Sequence, residues 1–187
     1  MTRVEMVAFW PRCWYDAYIK LQRSIPMSDS LSCVLAAREL LSSLTPLKTD
    51  CGALCAHACC AGDEETGMLL FPGEDALYTD CAFGKVIPAD FSLGGQQIKL
   101  FVCSGRCERE GRPLACRLFP LFLTFLKNGG TKVRIDDRAR AVCPLCDYGM
   151  TGLDHEFVDA ARKAYDLLLE DETCRAYLRD LYKAFKL

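Results

Sequence analysis

The chain has 187 residues and is 51% hydrophobic, enough for one domain to close a core without disulfide support. Its 23 Lys and Arg nearly balance its 25 Asp and Glu, so no bulk field recruits nucleic acid or anionic lipid. Neither a nucleic-acid partner nor a membrane partner is expected. Residues 1–20 mix Arg3, Glu5, Pro11, Arg12 and Asp16 among apolar side chains, which breaks any signal-peptide core or membrane span. The expected location is therefore cytoplasmic.

In chain order, Phe9, Trp10, Trp14, Tyr15 and Tyr18 form an aromatic group that reads as core or interface rather than as a ligand platform. Ser28 or Ser30 is placed to cap a helix in which Leu31, Val34, Leu35, Leu41 and Leu44 recur at helical spacing, with Pro46 beyond its end. Residues 68–71 are a short apolar run closed by Pro72-Gly73. Runs over 86–93 and 98–103 flank Gly94-Gly95 and predict one hairpin; 118–126 and 131–135, around Asn128-Gly129-Gly130, predict another. Asp154 should cap a helix carrying Phe157, Val158, Ala161, Tyr165, Leu168 and Leu169, and the helical period continues through Leu178, Leu181, Tyr182 and Phe185. The expected fold is α+β: a small single domain over 1–187, with helices at both ends around a cysteine-rich, metal-bound core containing short β-hairpins. Residues 51–146 form that core, and 154–186 form a C-terminal helical pair.

Thirteen cysteines are several times ordinary usage, and ten of them lie between Cys51 and Cys146. A disulfide framework needs an oxidising compartment and an even count, and neither is in evidence; metal thiolate ligation accounts for the excess better. The first group places Cys51, Cys55, Cys59 and Cys60 within ten residues. In a continuous helix Cys51 and Cys59 would lie roughly 12 Å apart along the axis. A tetrahedral zinc holds its sulfurs only about 4 Å apart. Either the helix opens, for instance at Gly52, or the thiols divide between ions, or they embrace a larger iron–sulfur cluster. The second group is Cys103, Cys107 and Cys116, with Gly105 allowing a tight turn and Pro113 and Pro120 stiffening the frame. Arg106, Arg112 and Arg117 are placed there to offset thiolate charge. The third group is Cys143-Pro-Leu-Cys146, in which only one thiol need be a ligand.

The strings Cys51-x3-Cys55-x3-Cys59-Cys60, Gly105-Arg106-Cys107, Arg112-Pro113-x2-Cys116-Arg117-x-Phe119-Pro120 and Cys143-Pro144 resemble the YkgJ-like CxxCxxCC family of putative zinc- or iron-chelating domains. The cysteine-rich part of flagellin lysine N-methylase is related to that family. The first box departs from the family's two-residue gaps by having three-residue gaps. The resemblance implies metal ligation by Cys51, Cys55, Cys59, Cys60, Cys103, Cys107, Cys116 and Cys143, with Cys146 ranking below them and Arg112 and Arg117 standing behind the ligands. It implies an iron–sulfur cluster or zinc as cofactor, with iron and sulfur favoured by the Cys-Cys pair and the methylase branch. The metal is expected to be needed for folding, because ligands spread this widely seldom preform a site.

Function beyond metal binding divides between a modification enzyme of methyltransferase type, by the same resemblance, and a zinc-stapled interaction module; the partner, protein or small molecule, is unspecified. No Walker loop or Gly-x-Gly-x-x-Gly turn marks a nucleotide site. Radical S-adenosylmethionine chemistry needs a different cysteine spacing and a barrel this pattern does not supply. Cys13, Cys33, Cys81 and Cys174 read as small core residues. His57 reads as standing behind the ligands or at the surface, His155 as surface, and Lys132, Arg134, Arg138 and Arg140 as a solvated face interrupted by Asp136 and Asp137.

Overall fold

The computed structural model describes residues 29–61, 65–105 and 109–185. Readings that fell on the N-terminal aromatics, Cys13, Ser28, Arg106 and Cys107 therefore lie outside the described residues.

Five α-helices and five strands, the strands grouped into two small antiparallel sheets, form an α+β fold over this span. Helix α1 (Asp29–Leu40) begins before Ser30. Ser30 is thus inside the helix rather than its cap, and its hydroxyl donates to Asp171 Oδ1 at 2.9 Å. A one-turn α2 (Gly52–Cys55) opens the cysteine region. Strand β1 (Met68–Leu69) is an edge strand antiparallel to β3 (Gln96–Cys103), which in turn pairs with β2 (Gly84–Leu93). The β2–β3 turn is Gly94-Gly95, with φ of 55° and 79°. Two successive positive φ values are what a tight hairpin turn matching strand twist requires, and glycine adopts them without Cβ strain.

Helix α3 (Leu114–Leu118) leads into the second hairpin, β4 (Leu121–Phe125) against β5 (Thr131–Ile135). The expected strand over 118–126 is therefore shorter, because Leu118 closes a helical turn. Helices α4 (His155–Glu170) and α5 (Glu172–Phe185) complete the chain. Asp154 caps α4 by accepting from Glu156 N at 2.9 Å and Phe157 N at 3.4 Å, as its position predicted.

The centre of the molecule is apolar. Val34 and Ala37 from α1, Leu114 and Leu118 from α3, Leu123 from β4, Phe157, Ala161 and Leu168 from α4 and Leu178 from α5 form one buried cluster. Their helical spacing places them on single faces, and the Tyr165 hydroxyl ties α4 to β4 by donating to Leu121 O at 3.1 Å. A smaller cluster joins Leu31, Leu70, Leu77, Tyr78 and Phe101, with Cys81 and Cys103 half-buried against it. Cys51 and Cys143 pack on the margin of the main cluster. The cysteine segment thus borders a core that apolar side chains close. No helix among the described residues is long and apolar enough to cross a membrane.

Candidate metal centre

The first cysteine group does not run as one helix. Cys51 N-caps α2, which ends after a single turn because Ala56 and His57 both adopt left-handed backbone, with φ of 49° and 59°. His57 N donates back to Gly52 O at 3.0 Å, and a 3₁₀ turn over Ala58–Cys60 follows. The break falls at Ala56-His57, four residues after the glycine that seemed the candidate. Gly52 serves another purpose: a Cβ there would lie 2.2 Å from His57 Nδ1, so its bare backbone is what lets the imidazole fold against α2. The reversal removes the axial separation that a continuous helix would impose between Cys51 and Cys59.

Across this reversal the thiols gather. Cys59 Sγ and Cys60 Sγ are 4.0 Å apart, close to the sulfur spacing that a tetrahedral ion needs. The hydrogen bond that Cys60 shares with Cys59 lowers Cys60 to about 6; the nearby charges of Arg112 and His57 pull it the same way while burial opposes. The same hydrogen bond, with the charges of Cys60, Cys55 and Cys51, pushes Cys59 up. Burial raises the Cys51 thiol, as do the charges of Asp50, Cys143 and Cys55, and Arg112 pulls against them. Cys51, Cys55, Cys59 and Cys60 are therefore electrostatic neighbours, and Cys51 also feels Cys143, although more than ninety residues separate those two in sequence. Cys146 is buried one turn beyond Cys143, and burial followed by the Cys143 charge raises it to about 11. Cys59 is exposed and Cys51, Cys55, Cys60 and Cys143 are half-buried, so the group lies open on one side.

Two further predicted ligands, Cys103 and Cys116, lie on other elements. Cys103 ends β3 opposite Gly84 and borders the smaller apolar cluster. Cys116 lies in α3, half-buried, where its charge is felt by the Tyr78 phenol. The link from this second group to the first is Gly105, whose position for a Cβ is 3.6 Å from Cys60 O. Of the cysteines read as core, Cys174 is fully buried and Cys81 packs on the smaller cluster. His57 stands beside Cys60, and His155 is exposed.

The donors suit a thiophilic metal in type, since several thiols surround a guanidinium that offsets their charge. They are assembled without being closed on a point: among the described residues, no three His, Cys, Asp or Glu side chains come together as a metal-holding group. The two arginines behind the cysteines differ. Arg112 acts on Cys51 and Cys60. Arg117 instead spends its guanidinium on three backbone carbonyls, of Arg112 at 3.1 Å, Arg38 at 3.1 Å and Glu110 at 2.7 Å. Burial and the Arg38 charge lower it to about 10.

A second set of residues went unseen in the sequence. Arg38 Nη1 donates to Glu74 Oε1 at 2.8 Å and to Tyr78 Oη at 2.7 Å, with Arg38 only 4% exposed and Glu74 fully buried. Burial, with the Glu74 charge, pushes the Tyr78 phenol up, which keeps it protonated and able to donate. Nothing in the local pattern marks these three, because charged residues on a helix and in a polar turn read as solvated.

No family model matches the chain, and no curated protein or solved structure matches it.

Proposed function

We propose that the chain is a metal-binding protein of the YkgJ-like type, holding an iron–sulfur cluster or zinc through Cys51, Cys55, Cys59, Cys60 and Cys143 together with Cys103, Cys107 and Cys116. The observation that carries this reading is the pair of sulfurs of Cys59 and Cys60, 4.0 Å apart at the break that folds the first cysteine group back on itself. A bound zinc would supply a redox-silent crosslink between these segments, and an iron–sulfur cluster an electron store. Either would neutralise thiolates that otherwise repel one another. Because the apolar core closes without these thiols, the metal's structural work falls on the 51–60 segment and its link to Cys143 rather than on the whole fold.

Arg112 reduces the charge that the assembled thiolates accumulate, and His57, lodged over Gly52, adds a second positive or hydrogen-bonding group beside Cys60. Anaerobic purification followed by iron, zinc and acid-labile sulfide analysis tests the reading. Visible absorption bleached by dithionite identifies a cluster, and a colourless stoichiometric ion identifies zinc. A folded chain that carries no metal and takes none up on reconstitution ends the proposal.

A further inference from the structure

The loop that carries Arg112 is held by buried charge rather than by apolar packing. Arg38 Nη2 donates to Glu110 O at 3.2 Å, and Tyr78 Oη donates to Gly111 O at 3.2 Å. Arg117 takes the carbonyls of Glu110 and Arg112. Leu114 N donates to Glu74 Oε1 at 2.7 Å, and Phe71 N to Glu74 Oε2 at 3.1 Å. Every residue from 110 to 112, and Leu114 just beyond, thus has a backbone group fixed by this network. Arg109 extends the hold to the segment before the first cysteines by donating to Ser42 O at 3.1 Å and to Leu44 O.

Burying an ion pair costs desolvation that apolar side chains of the same volume avoid, so a buried pair needs a reason other than stability. Here the reason lies in what it grips. Carbonyls can be aimed only by donors, and the donors come from α1, from the turn over Glu74–Tyr78 and, through Arg117, from α3, all elements that the apolar clusters hold firmly.

We infer that Arg38, Glu74 and Tyr78 are positioning residues for the thiol site: they hold the backbone of residues 110–114, which runs straight into the α3 turn that carries Cys116. The inference rests on the metal-binding reading for its function but not for its geometry.

A matched pair of variants separates positioning from general stability. Tyr78→Phe removes a buried hydroxyl that donates to Gly111 O at 3.2 Å, and Tyr165→Phe removes one that donates to Leu121 O at 3.1 Å, outside the network that grips residues 110–114. Both should lower the melting temperature similarly. In an anaerobic cobalt(II) titration followed by thiolate-to-cobalt absorption, Tyr78→Phe should weaken binding about tenfold, as loss of a partner behind a metal ligand does, and Tyr165→Phe should leave it unchanged. Arg117→Lys, which keeps the charge but loses the fork that grips two carbonyls of the loop, should behave like Tyr78→Phe. In the metal-free chain, iodoacetamide alkylation of Cys116, half-buried in α3 and located by mass spectrometry, should quicken in Tyr78→Phe and not in Tyr165→Phe. Equal effects of the two tyrosine variants on cobalt affinity and alkylation would overturn the inference. A wild-type chain that binds no cobalt, but whose alkylation still separates the two variants, would sink the metal reading and leave the positioning intact.

Discussion

Glu74→Ala is the most severe single perturbation the structure predicts. The carboxylate is fully buried and accepts from Arg38 Nη1 at 2.8 Å, Leu114 N at 2.7 Å and Phe71 N at 3.1 Å. Removing one member of a buried pair strands the other charge, at about 3–5 kcal/mol. Two buried backbone N–H groups lose their acceptor as well, at about 1–3 kcal/mol each. The sum is about 5 kcal/mol or more, comparable with the whole stability of an ordinary domain, about 5–15 kcal/mol. Urea unfolding followed by far-ultraviolet circular dichroism should show a collapsed midpoint or no folded baseline. The double variant Arg38→Met/Glu74→Leu removes both charges and keeps apolar volume, so it should be more stable than Glu74→Ala by about 2 kcal/mol or more. A Glu74→Ala protein within about 1 kcal/mol of wild type, or a double variant no better than the single, would refute the reasoning.

Three other expectations follow from local geometry. Burial alone would raise the Asp171 carboxyl, but hydrogen bonds from Cys174 N at 2.7 Å and the Ser30 hydroxyl at 2.9 Å hold it below its ordinary value. A depressed carboxyl stabilises the fold at neutral pH, and that contribution is lost as pH falls through the folded-state value; melting temperatures should fall less steeply in acid for Asp171→Asn than for wild type. Ala56→Gly should stabilise by about 0.5 kcal/mol, because relief of a left-handed backbone with a Cβ, worth about 1–2 kcal/mol, exceeds the entropy that glycine adds to the unfolded chain. A lower urea midpoint would contradict the strained conformation at that residue. Phe157→Ala should cost about 3–5 kcal/mol, since Phe157 is fully buried within the main cluster. A loss below about 1 kcal/mol in the same urea assay would show that the cluster is loosely packed there.

The thiol site was legible in its residue types and only partly in its arrangement. Dense cysteines and nearby arginines mark a candidate thiolate site wherever they fall, because thiolate charge needs an offset, and the Arg112 charge acts on Cys51 and Cys60. The break in the first group could not be located in advance. It rests on left-handed backbone at Ala56 and His57, of which only histidine is enriched in that conformation and alanine is not, and it is tolerated because Gly52 leaves room for the imidazole. Arg117 looked equivalent to Arg112, yet it turns to the backbone, a choice set by which carbonyls the folded loop presents.

The sequence by itself determined the elements whose causes are local: α4 and α5 from apolar residues at helical spacing, the Asp154 cap, and two hairpins from glycine-bearing turns between alternating runs. Those signals act over a few residues and need no partner. Only the tertiary structure decided that β1 joins β3 and that Arg38 finds Glu74 and Tyr78. Each of these joins groups more than thirty residues apart in the chain. Charge and thiol chemistry state what a group will bind, while the packing of the apolar clusters decides which candidate comes within reach.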